Sequence, residues 1–137
     1  ESGGRGRTAY TTGHGTEFAN HVAAIESDLG AAHPLGFTVK ISQHAVEFLH
    51  PVQEILQSFG ASLIESIQTS PGSDISAMAQ AGVPALGIMQ DGRTYFNYHH
   101  SAADTLDKIE PRALRENAAA MVVMGFALAC TEQPLPR

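Results

Sequence analysis

The 137-residue sequence has one cysteine, only eight Lys and Arg, and no apolar run as long as a bilayer is thick. A lone Cys130 forms no intrachain disulfide, so cysteine usage does not identify a redox compartment. Among its apolar neighbours it reads as a small buried filler and not as a nucleophile. Eight basic residues against 14 acidic ones give a formal charge of -6. That leaves no electrostatic footprint for nucleic acid and no basic helical face for an anionic membrane, so neither is an expected partner. The longest apolar run, Ala118 to Cys130, is short of the roughly 20 residues needed to cross a bilayer, and its 3.6-residue period suits a helix packed on a core. The chain contains neither a Gly-x-Ser-x-Gly elbow for a serine nucleophile nor a Gly-x-x-x-x-Gly-Lys loop for nucleotide phosphates. It starts at Glu1 without an initiator Met and shows no charged-then-apolar leader. The expectation is that a segment precedes Glu1, and no targeting signal can be read.

A hydrophobic content of 43% is that of an ordinary globular domain with a real core. Arg7 to Phe18 reads as a short helix and His21 to Ile25 as a buried strand ending at Glu26-Ser27-Asp28. Gly36 to Ile41 alternates as a half-exposed strand does. Ala45, Leu49, Val52, Leu56 and Phe59 recur at steps of four and three, which puts them on one helical face closed by Gly60, with a kink expected at Pro51. Ser62 to Ile67 is a short strand, and Thr69 to Asp74 a Pro-Gly turn whose Asp74 is placed to cap a helix over Ile75 to Ala81. Pro84 to Met89 is another buried strand, followed by a polar loop from Tyr95 to Thr105. Pro111 opens a last helix with Leu114, Ala118, Met121, Val122, Gly125, Leu128 and Ala129 on its broad apolar face. Strands alternating with helices predict a layered α/β fold with chemistry in the loops at strand ends.

The polar clusters fall in those loops: Glu26-Ser27-Asp28, Gly72-Ser73-Asp74, and Tyr98-His99-His100 with Asp104. Zinc in a hydrolase takes nitrogen and oxygen ligands from His and carboxylates and keeps a position for water. Asp28 and His100 are of the right kinds, but Asp28 serves equally as a turn-capping carboxylate and His99-His100 as a surface pair. Asp104, four residues beyond His100, is either a carboxylate that orients a metal-bound imidazole or a cap for the turn before the last helix. Asp74 is either a helix cap or a pocket group for a substrate amine. His14, His21, His33, His44 and His50 lack ligand-like spacing and read as surface or core residues.

Five segments occur in order over almost the whole chain: Glu26-Ser27-Asp28-Leu29-Gly30, Pro34-Leu35-Gly36-Phe37, Gly72-Ser73-Asp74-Ile75, Ala81-Gly82-Val83-Pro84, and Tyr95 through His99-His100-Ser101-Ala102-Ala103-Asp104-Thr105. Together they resemble the C-terminal part of the co-catalytic dizinc exopeptidases, in their plasma glutamate carboxypeptidase (carboxypeptidase Q-like) branch. The resemblance implies a three-layer α/β/α fold with a mostly parallel or mixed sheet, residues 1–137 being the C-terminal portion of one peptidase catalytic domain. It implies that Asp28 ligates one zinc and that His100, directly before Ser101-x-x-Asp104-Thr105, ligates the other, with His99 the less favoured of the pair. Glu1-Ser2-Gly3-Gly4-Arg5-Gly6 is similar to the family's Glu-Glu-Asn-Gly-x-x-Gly segment. Glu1 then falls on a metal-ligating glutamate, and the general-base glutamate lies just before residue 1. Ser73, Asp74, Tyr98 and Asp104 are implied to touch substrate or to support the ligands.

On this reading a secreted or periplasmic parent enzyme hydrolyses dipeptides or the terminal residues of peptides through a water activated by two zinc ions. The present chain lacks the base, the bridging aspartate and one histidine ligand, and is expected to be inactive alone. A domain divided in its middle is also expected to expose apolar surface and a strand edge, favouring a homo-oligomer or association with the missing N-terminal part. The alternative is a metal-free fragment or interaction module acting through that apolar surface. A glutaminyl-cyclase-like transferase rests on fold analogy alone, and Gly72-Ser73-Asp74-Ile75 favours the peptidase.

Overall fold

Side chains on a strand alternate between the two faces of the sheet, and here the alternation assigns two cores. Phe37, Val39, Leu86 and Ile88 belong to one buried cluster, while Ala24 and Ala85 belong to a second. The structure, a computed structural model, describes residues 3–137. Its strands β1 (Ala24–Glu26), β2 (Pro34–Lys40), β3 (Leu63–Ser66) and β4 (Ala85–Gln90) make one sheet in the order β1-β4-β2-β3. β1 is parallel to β4 and β2 is parallel to β3, while β2 and β4 are antiparallel, so the sheet is mixed. The helices are α1 (Arg5–His14), α2 (His50–Gln57), α3 (Ser76–Gln80) and α4 (Pro111–Cys130).

On one face, Leu49, Val52 and Leu56 with Ala120, Met124 and Leu128 cover the Phe37, Val39, Leu86 and Ile88 side chains. On the other, Phe18, Ile75, Ala79 and Val83 cover Ala24 and Ala85. Helices on both faces of a mixed sheet make the α/β layering expected from the alternation of elements. Phe37, Leu56, Leu86 and Met124 are fully buried, each contributing about 1.5–3 kcal/mol of apolar burial.

Several elements differ from expectation for identifiable reasons. The first helix stops at His14 and continues as a 3-10 segment, Gly15–Asn20, since Gly13 and Gly15 weaken α-helical continuation. β1 is confined to the three residues that pair with Ala85, Leu86 and Gly87. No kink forms at Pro51. The preceding segment Gln43–Leu49 is 3-10, and Pro51 sits in the first turn of α2, where its missing N–H has no partner to lose. Asp74 does not cap α3 through its side chain.

The apolar face of α4 is rotated from the expected one. Ala113, Asn117, Ala120, Met124 and Leu128 are buried, whereas Leu114 and Val122 are exposed. Ala and other apolar residues surround this helix on all sides, so hydrophobic periodicity alone does not choose a face. Asn117 chooses it, donating to the carbonyls of Ala113 (2.8 Å) and Ala32 (2.5 Å) and accepting from Gln90 (2.8 Å). Cys130 is exposed at the end of α4 and is not a buried filler. By length and composition α4 is apolar enough to cross a membrane, yet one side of it is packed into the core.

Candidate active site

β1 and β4 are parallel, so the loops leaving Glu26 and Gln90 emerge at the same end of the sheet. β2 starts at that end as well, with Pro34 opposite Gln90. The connection 27–33 therefore crosses the carboxyl ends of two strands and meets the segment that follows β4. Between them lies a cleft of about 640 Å³.

Asp28, Tyr98, His100 and Asp104 all line this cleft, brought there from two loops separated by some seventy positions of chain. Asp28 and His100 are both exposed to it. The backbone of the second loop is wound as tight turns. The 3-10 segment Gly92–Asn97 starts at Asp91, whose carboxylate accepts from Arg93 N–H, and His99 N–H then donates to the Tyr95 carbonyl (3.1 Å). Ser101 N–H and hydroxyl both donate to the Tyr98 carbonyl, and Asp104 N–H donates to that of Ser101. At the tip His100 has φ 52°, a left-handed conformation that costs a side-chain-bearing residue about 1–2 kcal/mol. Its ring stacks on that of His99 with centroids 3.7 Å apart, and His99 lies against Tyr95 at 4.6 Å.

The loop carrying Asp28 is held from three directions. Tyr95 hydroxyl donates to the Asp28 carbonyl (3.4 Å), and its ring faces Gly30. The buried Gln90 amide donates to the Gly30 carbonyl (2.7 Å), and Asn117 to that of Ala32. His33, read from the sequence as a surface or core residue, lines the cleft and bonds through Nδ1 to Glu116 at 2.8 Å. That hydrogen bond, and a second from Arg112, hold the Glu116 carboxyl below its usual range. Asp91, also on the wall, is clamped by the Arg93 guanidinium and lowered to about 2. Lys108 bonds to Asp107, lies 5.9 Å over the Tyr98 ring, and among the described residues is the one Lys or Arg on the cleft wall.

Ser73 and Asp74 stand outside this cleft. Ser73 lines an adjoining cavity of about 350 Å³, which Asp28 also lines, together with Glu26, Thr38 and Met89. Asp28 thus forms part of both walls. Glu1, the third expected ligand, lies outside the described residues. Among the described residues, no three His, Cys, Asp or Glu side chains come together to hold a metal ion. Gln90, Asn117 and Glu26 were not singled out as site residues by sequence reasoning. Apart from the Ala113 carbonyl that Asn117 also reaches, their partners lie 27 to 85 positions away in the chain, and no local pattern marks such pairs.

The model of Peptidase family M28 matches residues 1–124. Carboxypeptidase Q from Bos taurus and from Homo sapiens are each 31% identical over the whole chain, and that from Rattus norvegicus is 30% identical. The chain spans 29% of the length of these relatives. The crystal structure of a Peptidase M28 precursor from Shewanella amazonensis SB2B superposes with a TM-score of 0.84 at 31% identity, over 98% of this chain and 31% of that one. With a family model spanning most of the sequence and the same fold in a solved relative, the chain belongs to peptidase family M28.

Proposed function

We propose that this chain is the C-terminal portion of the catalytic domain of a zinc-dependent exopeptidase, which removes terminal residues from peptides or splits dipeptides. The observation that carries the reading is the convergence of Asp28 and His100 on one cleft from the ends of separate strands. A carboxylate and an imidazole suit zinc in kind. Two such groups fall short of the four that a zinc ion takes, so on this reading the remaining ligands, Glu1 among them, and the general base come from outside the described residues. Bound zinc would supply an activated water and polarise the scissile carbonyl.

The described residues would hold and orient. Asp28 and His100 would each ligate a metal ion, and the loop contacts of Tyr95, Gln90 and Asn117 would fix Asp28. Tyr98 and Asp104 would line the substrate's path, with Ser73 contacting it from the adjoining cavity and Asp74, next to Ser73 in the same loop, supporting that contact. By itself the 137-residue chain would be inactive, having neither base nor complete ligand sets. Exposed Val122 and Phe126 on α4 favour a second element of the reading, that the isolated chain self-associates or pairs with the rest of the domain through apolar surface.

The test is zinc content and dipeptide hydrolysis in the full-length gene product, with Asp28→Asn and His100→Ala beside it. Bound zinc and activity in the parent, with loss of one zinc equivalent and a rate reduction of about 100-fold or more in each variant, are expected. A full-length product that binds no zinc, or variants that retain both zinc and rate, would end the proposal.

A further inference from the structure

We propose that Glu26 is a positioning residue for the substrate-facing loop 72–75, acting through that loop's backbone and not through the metal; this rests on the exopeptidase reading above. Glu26 ends β1, two residues before Asp28. Its Oε1 accepts from Ser73 N–H (3.0 Å), and its Oε2 accepts from Asp74 N–H (2.9 Å) and Ile75 N–H (3.0 Å). Three successive amides converge on one carboxylate, an arrangement that uses both of its oxygens as acceptors.

The neighbouring residues are shaped around that contact. A Cβ on Gly72 would lie 2.1 Å from Oε2, so residue 72 has to be bare for the carboxylate to close on the loop. Gly72 is not in the left-handed region, which makes the close approach and not the backbone angle the reason for glycine. Arg7, from α1, donates to the Ser73 carbonyl at 2.9 Å, so Ser73 is held by both its N–H and its C=O. The loop's other end lies on the sheet, where a Cβ at Gly87 would meet Pro71 at 3.0 Å. Glu26, Gly72 and Ser73 line the 350 Å³ cavity together with Asp28. A single strand end therefore carries Asp28 into the cleft and, through Glu26, sets the wall that faces it. This explains in physical terms why a Glu-Ser-Asp segment and a Gly-Ser-Asp segment occur in one chain: the first clamps the second.

The variant Glu26→Gln keeps the size of the side chain but turns one acceptor into a donor facing N–H groups. Gly72→Ala leaves the carboxylate intact and pushes it off the loop. In the full-length enzyme both are expected to raise KM for a dipeptide about tenfold or more, with kcat within about threefold of the parent and zinc content unchanged. Glu26→Gln is also expected to abolish hydrogen-exchange protection of the Ser73, Asp74 and Ile75 amides. Unchanged KM in both variants, or zinc lost in step with kcat, overturns the proposal. Should the full-length parent bind no zinc and cleave no peptide, the exopeptidase reading fails separately. The amide protection then decides the positioning claim, retained protection in Glu26→Gln refuting it and lost protection sustaining the clamp.

Discussion

Gly36 sits at the irregularity where β2 opens, between the Pro34–Gln90 and Gly36–Met89 pairings, and opposite Leu63 of β3. Its φ of 151° lies in a region that side-chain-bearing residues rarely enter, and a Cβ there would lie 1.9 Å from the Leu63 carbonyl oxygen. Backbone cannot retreat as a flexible side chain can. Gly36→Ala should therefore destabilise the fold by about 3 kcal/mol or more, by separating β3 from β2, and a urea-unfolding midpoint within error of the parent would contradict this account. The residue was legible as part of a strand, but its requirement for glycine was not, because the clash comes from a strand 27 positions later in the chain. Glu26 and Asn117 are similar cases. Each is an ordinary polar residue in sequence, and each owes its role to backbone groups brought to it only by the completed fold.

At the scale of elements, hydrophobic period was informative wherever polar residues interrupted it. The face formed by Ala45, Leu49, Val52 and Leu56 is buried as the spacing predicts, because Glu47, Gln53 and Glu54 interrupt the other faces, even though Phe48 and Ile55 remain exposed there. The four strands fall where alternation and turn residues place them, with ends moved by one to three residues. α4 fails the same reasoning because alanines and large apolar residues surround it on every side, and a buried amide decides its rotation. The loops bearing Asp28 and His100 were legible as ordered motifs, whereas their meeting at one cleft depends on β1 and β4 being parallel neighbours. The rotation of α4 can be tested directly. Met124→Ala should cost about 2–5 kcal/mol, while Ala118→Lys, on the expected face but exposed, should stay within about 0.5 kcal/mol of the unsubstituted 137-residue chain. Were the order of the two effects reversed in thermal or urea unfolding, the expected face and not the observed one would be the buried one.

For the molecule as a whole, the electrostatics of the cleft end set how it responds to acid. Among the described residues, four carboxylates there are held below their ordinary range by close partners. Asp91 is held by Arg93, Asp107 by Lys108 and then Thr105, Glu110 by the backbone N–H groups of Arg112 and Ala113, and Glu116 by His33 and then Arg112. A carboxyl that is harder to protonate when folded makes the unfolded chain bind more protons as pH falls, so folding stability declines with acid. Glutamates ordinarily titrate at 4.5 and aspartates at 3.8, and Asp91 in the fold titrates at about 2. The stabilisation from these groups is complete above pH 4.5, diminishes below it, and from Asp91 is gone only once pH has passed through about 2. All four are solvent-accessible, so each contributes modestly and is screened by salt. The urea midpoint should therefore fall continuously from pH 4.5 to pH 2, and fall less steeply in 1 M salt. In Asp91→Asn the part of the decline below pH 3.8 should shrink. A midpoint that holds steady or rises across that interval would mean that these ion pairs and caps do not hold the loops of the cleft in solution.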